Sequence, residues 1–212
     1  NELLKSGGAD PEDPSNHADL DFFVDFLQAK YAVTYRQNGQ SENGDYELIG
    51  SSFYNWVFEN RTAKMDLSTA DDYRYFIENR LPRYSSIYVR IRNWENAYTL
   101  GNGFEALYYN QNQRLSFQNL LMLSAIRGDD NDDVVYKKIK VVSYFVDFFG
   151  TLNGLSGHRR SWNYNRSTLF QLVKKLRDKS LSEVSFELVN FLNQECFSQD
   201  INLGKVRWLE RN

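Results

Sequence analysis

The sequence predicts a mostly α protein, an irregular bundle of about eight helices with little or no sheet. Three observations carry that expectation. Apolar residues recur three and four positions apart along most of the chain. Capping residues and glycines stand where those stripes begin and end. No stretch shows the strand–turn–strand spacing of a sheet protein, and no period of constant length repeats.

The elements follow in order. Asn1–Ser6 reads as the last turn of a helix, and Gly7-Gly8 as its stop. With no leading methionine and no signal-peptide pattern, this start is expected of a piece cut from a longer protein. Asn16 is placed to cap a helix whose face is Leu20, Phe23, Leu27 and Tyr31. Tyr31–Tyr35 is rich in β-formers, but the apolar face runs into it, so the helix is expected to continue there. After the loop 37–45, Leu48, Ile49, Phe53, Trp56 and Val57 define a shorter helix. Ser68 is placed to cap the next, with Asp71 and Asp72 in its first turn and Tyr73, Phe76, Ile77 and Arg80 on one face. Pro82 lacks an amide donor and is expected to break or kink the run at Leu81. Ile87, Ile91, Trp94 and Tyr98 continue it to Gly101 and Gly103.

Phe104–Asn110 and Phe117–Ile126 are two further apolar stretches. Val135, Ile139, Val142, Phe145, Val146 and Phe149 form the clearest stripe in the chain. Gly150, Gly154 and Gly157 read as the opening of a long loop. Thr168–Lys179 places Leu169, Leu172, Val173 and Leu176 inward and Lys174, Lys175, Arg177 and Lys179 outward or at its end. Ser180-Leu181-Ser182-Glu183 matches a capping box for the last helix. The whole reads as one helical domain over 1–212, with a sub-boundary near 100–115.

Composition bounds the function. In 212 residues, 42% are hydrophobic and 25% charged, which suits a folded globular chain. Apolar runs fall short of the roughly 18 residues that span a bilayer, so no membrane partner is expected. The lone Cys196 excludes an internal disulfide, reads as a small buried hydrophobe, and fits a reducing, cytoplasmic setting. The net charge of −3 is unevenly placed: residues 1–78 carry 15 acids and 6 bases, residues 79–212 carry 13 acids and 19 bases. The acidic balance speaks against a generic nucleic-acid coat, while the C-terminal excess leaves room for a local basic surface.

No complete catalytic motif stands in the chain. His17 and His158 lie in expected loops without metal-spaced partners. Asp129–Asp133 lacks the spaced ligands and glycine of a calcium loop and reads as a helix N-terminus. Gly101-Asn102-Gly103 lacks the third glycine of a dinucleotide fingerprint. No catalytic residue, metal ligand or cofactor is therefore expected in this segment. The most suggestive polar run is His158–Arg166, read as a Gly-flanked loop. Arg159, Arg160 and Arg166 suit phosphates, Trp162 and Tyr164 suit stacking on an unpaired base, and Lys174 and Lys175 extend the basic surface. The plainer reading is that the loop aromatics pack onto their own core and the lysines face water.

The order of pieces resembles the middle, helical part of the GmrSD-like restriction proteins, whose N-terminal half is a ParB-like domain (domain of unknown function 262). The stretches that carry the resemblance are Asn1–Leu4, Asp21–Leu27, Ser116–Leu123, Lys138–Lys140 through Phe148-Phe149, and Leu176-Arg177 to Leu192. The likeness is one of helix order and aromatic placement. It implies a ParB-like part with a D-G-Q-Q-R-like motif, linked to nucleotide hydrolysis, and in many members an HNH-type nuclease domain. Neither motif stands in these residues, so no functional residue transfers. The resemblance implies a helical interdomain module of a bacterial defence protein, with flanking domains and DNA as partners. Two other readings stay open: a stand-alone helical interaction domain, and an enzyme whose helical active site is built from scattered Asp, Glu and Tyr.

Overall fold

The structure, a computed structural model, describes residues 18–36, 42–115, 117–155 and 162–198. The predicted Asn1–Gly8 helix end, the Asn16 cap, and both histidines lie outside the described residues. Among the described residues there are helices and no strand, as the stripes predict. None of these helices is long and apolar enough to cross a membrane. The chain divides into two compact units, residues 1–98 and 99–212.

The N-terminal unit begins with α1, Ala18–Lys30, and α2, Asp45–Asn60. Ala70–Tyr75, a π turn at Phe76–Arg80, and Leu81–Asn96 then follow end to end and are numbered together as α3. Helix α1 packs against both of the others, which rotates its buried face from the expected one. Phe22, Phe26, Leu27 and Ala29 are buried, whereas Leu20 is 44% exposed. Phe22 and Phe26 meet Tyr88 and Tyr84 of α3, with ring centroids 5.5 and 5.0 Å apart. Phe23 stacks on Phe53 of α2 at 5.6 Å.

Helix α1 does not continue through Tyr35. It stops at Lys30, where the amides of Tyr31 and Ala32 both reach the Leu27 carbonyl. Beyond it the amides of Val33 and Thr34 donate to one oxygen of Asp45, at 2.9 and 3.1 Å. That carboxylate offers the backbone a better partner than one more helical turn would. The crossing is close: a Cβ on Gly44 would lie 2.8 Å from the Thr34 carbonyl, so only glycine fits there.

Two expectations about α3 also change. Its cap is Thr69, one residue past Ser68: the Asp72 amide donates to the Thr69 hydroxyl, and the Asp72 carboxylate accepts from the amides of both Ser68 and Thr69. Pro82 does not break the run. The helix widens before it, with the Leu81 amide reaching the carbonyl of Phe76, five residues back. Pro82 then sits in the first turn of the following α segment, where a missing N–H costs least. Ala70–Arg80 buries no residue, and Ile77 on its expected inner face is exposed. The α segment ends at Asn96, leaving Tyr98 outside it and exposed.

In the C-terminal unit, α4 is Glu105–Asn112, α5 Gln118–Ala125, α6 Asp132–Leu155, α7 Trp162–Leu176 and α8 Leu181–Ser198. Every residue of α5 is buried, with α6 and α7 packed on it. The predicted α6 stripe is buried along its whole length. Phe145 and Phe149 stack at 5.9 Å, and Phe191 of α8 meets both edge-on. Gly150 and Gly154, expected to open a loop, lie inside α6 instead, and Gly157 lies outside the described residues. At Gly150 the reason is a close approach: a Cβ there would lie 2.9 Å from Leu115 Cδ1. The capping box forms as predicted, with Ser180 N and Oγ both donating to Glu183 at 2.8 Å.

Candidate functional site

The basic run expected as a loop is partly helical, because α7 begins at Trp162. Arg159 and Arg160 lie outside the described residues, as do the side chains of Trp162 and Tyr164. Arg166, Phe170 and Lys174 stand four residues apart on one stripe of α7. Phe170 is buried, Arg166 and Lys174 are half-buried, and the Lys174 ammonium lies over the Phe170 ring, 5.7 Å from its centroid. Lys175 is exposed beside Ser167, Thr168 and Gln171, which are also exposed. The structure therefore separates the two lysines: one packs along the core edge and one faces water.

The acidic run resolves into distinct roles. Asp132 and Asp133 open α6, as expected of a helix N-terminus. Asp129 pairs with Arg127. Asp130 turns inward, accepting the Arg127 amide at 2.8 Å and the Lys138 ammonium at 2.6 Å. Lys138 has no solvent exposure, and it also donates to the carbonyls of Ala125 at 2.8 Å and Lys179 at 2.6 Å. All three ammonium donors are thus matched, the condition for holding a charge in a core.

Asp45 performs the corresponding task in the N-terminal unit. Besides the two linker amides, it accepts Trp56 Nε1 at 2.9 Å and the Lys64 ammonium. Burial alone raises the acid's pKa, yet these donors outweigh it and hold the carboxyl down at about 2.

A second charged group lies between α1 and α3. Asp25 is half-buried on α1, one turn after the exposed Asp21. Facing it from α3 are Tyr88, Arg92 and Glu95. The Tyr88 hydroxyl lies 3.5 Å from Asp25, and Arg92 bonds Glu95 at 2.8 Å. Glu95 is 1% exposed. Burial first, then the charges of Asp21 and Glu95, push the Asp25 carboxyl up to about 7, against the pull of Arg92 and Tyr88. Burial and the Asp25 charge raise the Tyr88 hydroxyl as well. Sequence reading passed over this group. Its signal in the sequence is a pair of acids four apart on α1 and a Tyr-Arg-Glu set spaced four and three apart on α3.

A pocket of about 180 Å³ in the same unit is lined by Met65, Leu67, Phe76, Tyr75 and Arg80, with Asp66 and Asp72 at its walls. Arg80 donates to the Tyr31 hydroxyl at 2.7 Å, and the Asp72 carboxylate is engaged by the amide of the Thr69 cap. Among the described residues no group of three His, Cys, Asp or Glu side chains is arranged to hold a metal ion. No family model matches the chain, and no curated protein or solved structure matches it. What fold and site define is a mostly α protein whose buried charges tie helices to the connections between them.

Proposed function

We propose that the chain acts as a helical scaffold module of a bacterial restriction-type defence protein, positioning flanking catalytic domains and touching DNA through its basic C-terminal part. One observation supports this reading above the others: the Lys138 ammonium binds three separated points of the chain, Ala125, Asp130 and Lys179. That arrangement stiffens the connections between helices, which is what a positioning element requires. The restriction context comes from the resemblance in helix order and aromatic placement, and the DNA contact from Arg159, Arg160, Arg166, Lys174 and Lys175.

The test is direct. The purified protein is titrated with duplex and single-stranded DNA at rising salt, beside a variant with Arg159, Arg160 and Arg166 replaced by alanine. The expected result is salt-dependent binding, with weaker affinity and a shallower salt slope in the variant. Equal affinity and slope in the two proteins overturn the DNA contact. Hydrolysis of DNA or nucleotide by the purified protein, abolished by a point substitution within the chain, overturns the scaffold reading itself.

A further inference from the structure

The pocket of about 180 Å³ lies between the α2–α3 connection and the first turns of α3. Buried Met65 and Leu67 of the connection, with half-buried Phe76 of α3, give it an apolar wall. Phe76 and Arg80 are the first and last residues of the π turn, a break in the α ladder that recurs at functional sites.

Two opposite charges line this pocket without pairing. The Arg80 guanidinium donates to the neutral Tyr31 hydroxyl at 2.7 Å and lies over the Tyr31 ring, 6.0 Å from its centroid. Those contacts hold it in place, and among the described residues it forms no ion pair with a carboxylate. Asp66 is exposed and has no hydrogen bond or ion pair among the described residues. The remaining acid, Asp72, is already engaged: one of its oxygens accepts from the amides of Ser68 and Thr69 and from the Thr69 hydroxyl.

Size and chemistry bound the occupant. Drug-sized ligands take roughly 300–1,000 Å³, so this space suits a smaller molecule. A guanidinium without an acid calls for a carboxylate, a lone carboxylate calls for a cation, and the wall between them calls for apolar surface. We propose that the pocket binds a free apolar α-amino acid, its carboxylate on Arg80, its ammonium on Asp66 and its side chain against Met65, Leu67 and Phe76. Ala70–Arg80 buries no residue of its own, so an occupant that bridges Asp66 and Arg80 ties this segment to the connection before it. The site is independent of the DNA contact proposed for α7.

The full chain is titrated with L-leucine and with L-methionine, followed by amide NMR shifts and amide hydrogen exchange. At least one of the two should give saturable shifts centred on residues 65–80 and slow exchange in the first turns of α3. Two truncated forms of leucine separate the contacts: isocaproate lacks the ammonium and isoamylamine lacks the carboxylate. Each should bind the wild type at least about tenfold more weakly than leucine. In Arg80→Gln, leucine should bind no better than isoamylamine, and in Asp66→Asn no better than isocaproate. Both positions are exposed, and asparagine tolerates the left-handed backbone of Asp66, where φ is 57°, so the fold is kept. The proposal is overturned if neither amino acid gives saturable shifts by about 20 mM. It is also overturned if either truncated form binds as tightly as leucine, or if leucine binds either variant as it binds the wild type.

Discussion

The Lys138 ammonium, with no solvent exposure, lies 2.6 Å from the buried Asp130 carboxylate, and it joins the end of α5, the turn before α6 and the connection between α7 and α8. Breaking a buried pair by removing one partner leaves the other charge uncompensated. Lys138→Met is therefore expected to destabilise the protein by about 3 kcal/mol, read by urea denaturation. Exchange protection should fall first around residues 126–130 and 179–180. A cost under about 1 kcal/mol would show that the three bonds do not hold the unit together.

Asp45 ties the segment after α1 to α2. Because its folded pKa lies below its ordinary value, its contribution is present above pH about 4 and lost as pH falls through about 2. The expected size is about 2 kcal/mol. Trp56 donates its indole N–H to the same carboxylate, so its fluorescence should follow the transition. Asp45→Asn should flatten this acid limb. Identical acid unfolding in wild type and variant would remove Asp45 from the account.

Ser180 caps α8 and exchanges bonds with Glu183. Ser180→Ala should cost about 1 kcal/mol in thermal or urea unfolding. The Glu183 carboxyl is drawn down to about 2 by the Ser180 amide and hydroxyl and by Lys179. In the variant its midpoint should therefore rise toward the ordinary glutamate range when titrated by NMR. A midpoint that stays low would place the effect elsewhere.

Lys174 and Lys175 should separate in DNA binding and in stability. Lys175→Ala should lower affinity and the salt slope while leaving unfolding unchanged, because its side chain faces water. Lys174→Ala should also cost stability, because the side chain is half-buried and its ammonium lies over the Phe170 ring. Equal losses of both kinds in the two variants would contradict the α7 geometry.

The sequence by itself determined the α class, the buried stripe from Val135 to Phe149 and the Ser180–Glu183 cap. Each is written in residues three and four apart, and one helix suffices to express it. Tertiary structure alone decided which face α1 turns inward, because two helices compete for it and Phe22 and Phe26 win over Leu20. It also decided where α1 stops, since the acceptor for Val33 and Thr34 is Asp45, more than ten residues away. Gly150 read as a loop for the same reason: the Leu115 side chain that needs the space belongs to another part of the chain. Of the basic residues, the helical phase of α7 divided Lys174 and Lys175 between core edge and water. The Asp25 group escaped notice because a charge's pKa is set by neighbours in space. Asp21 is near in sequence, but Tyr88, Arg92 and Glu95 come within range only when α1 lies against α3.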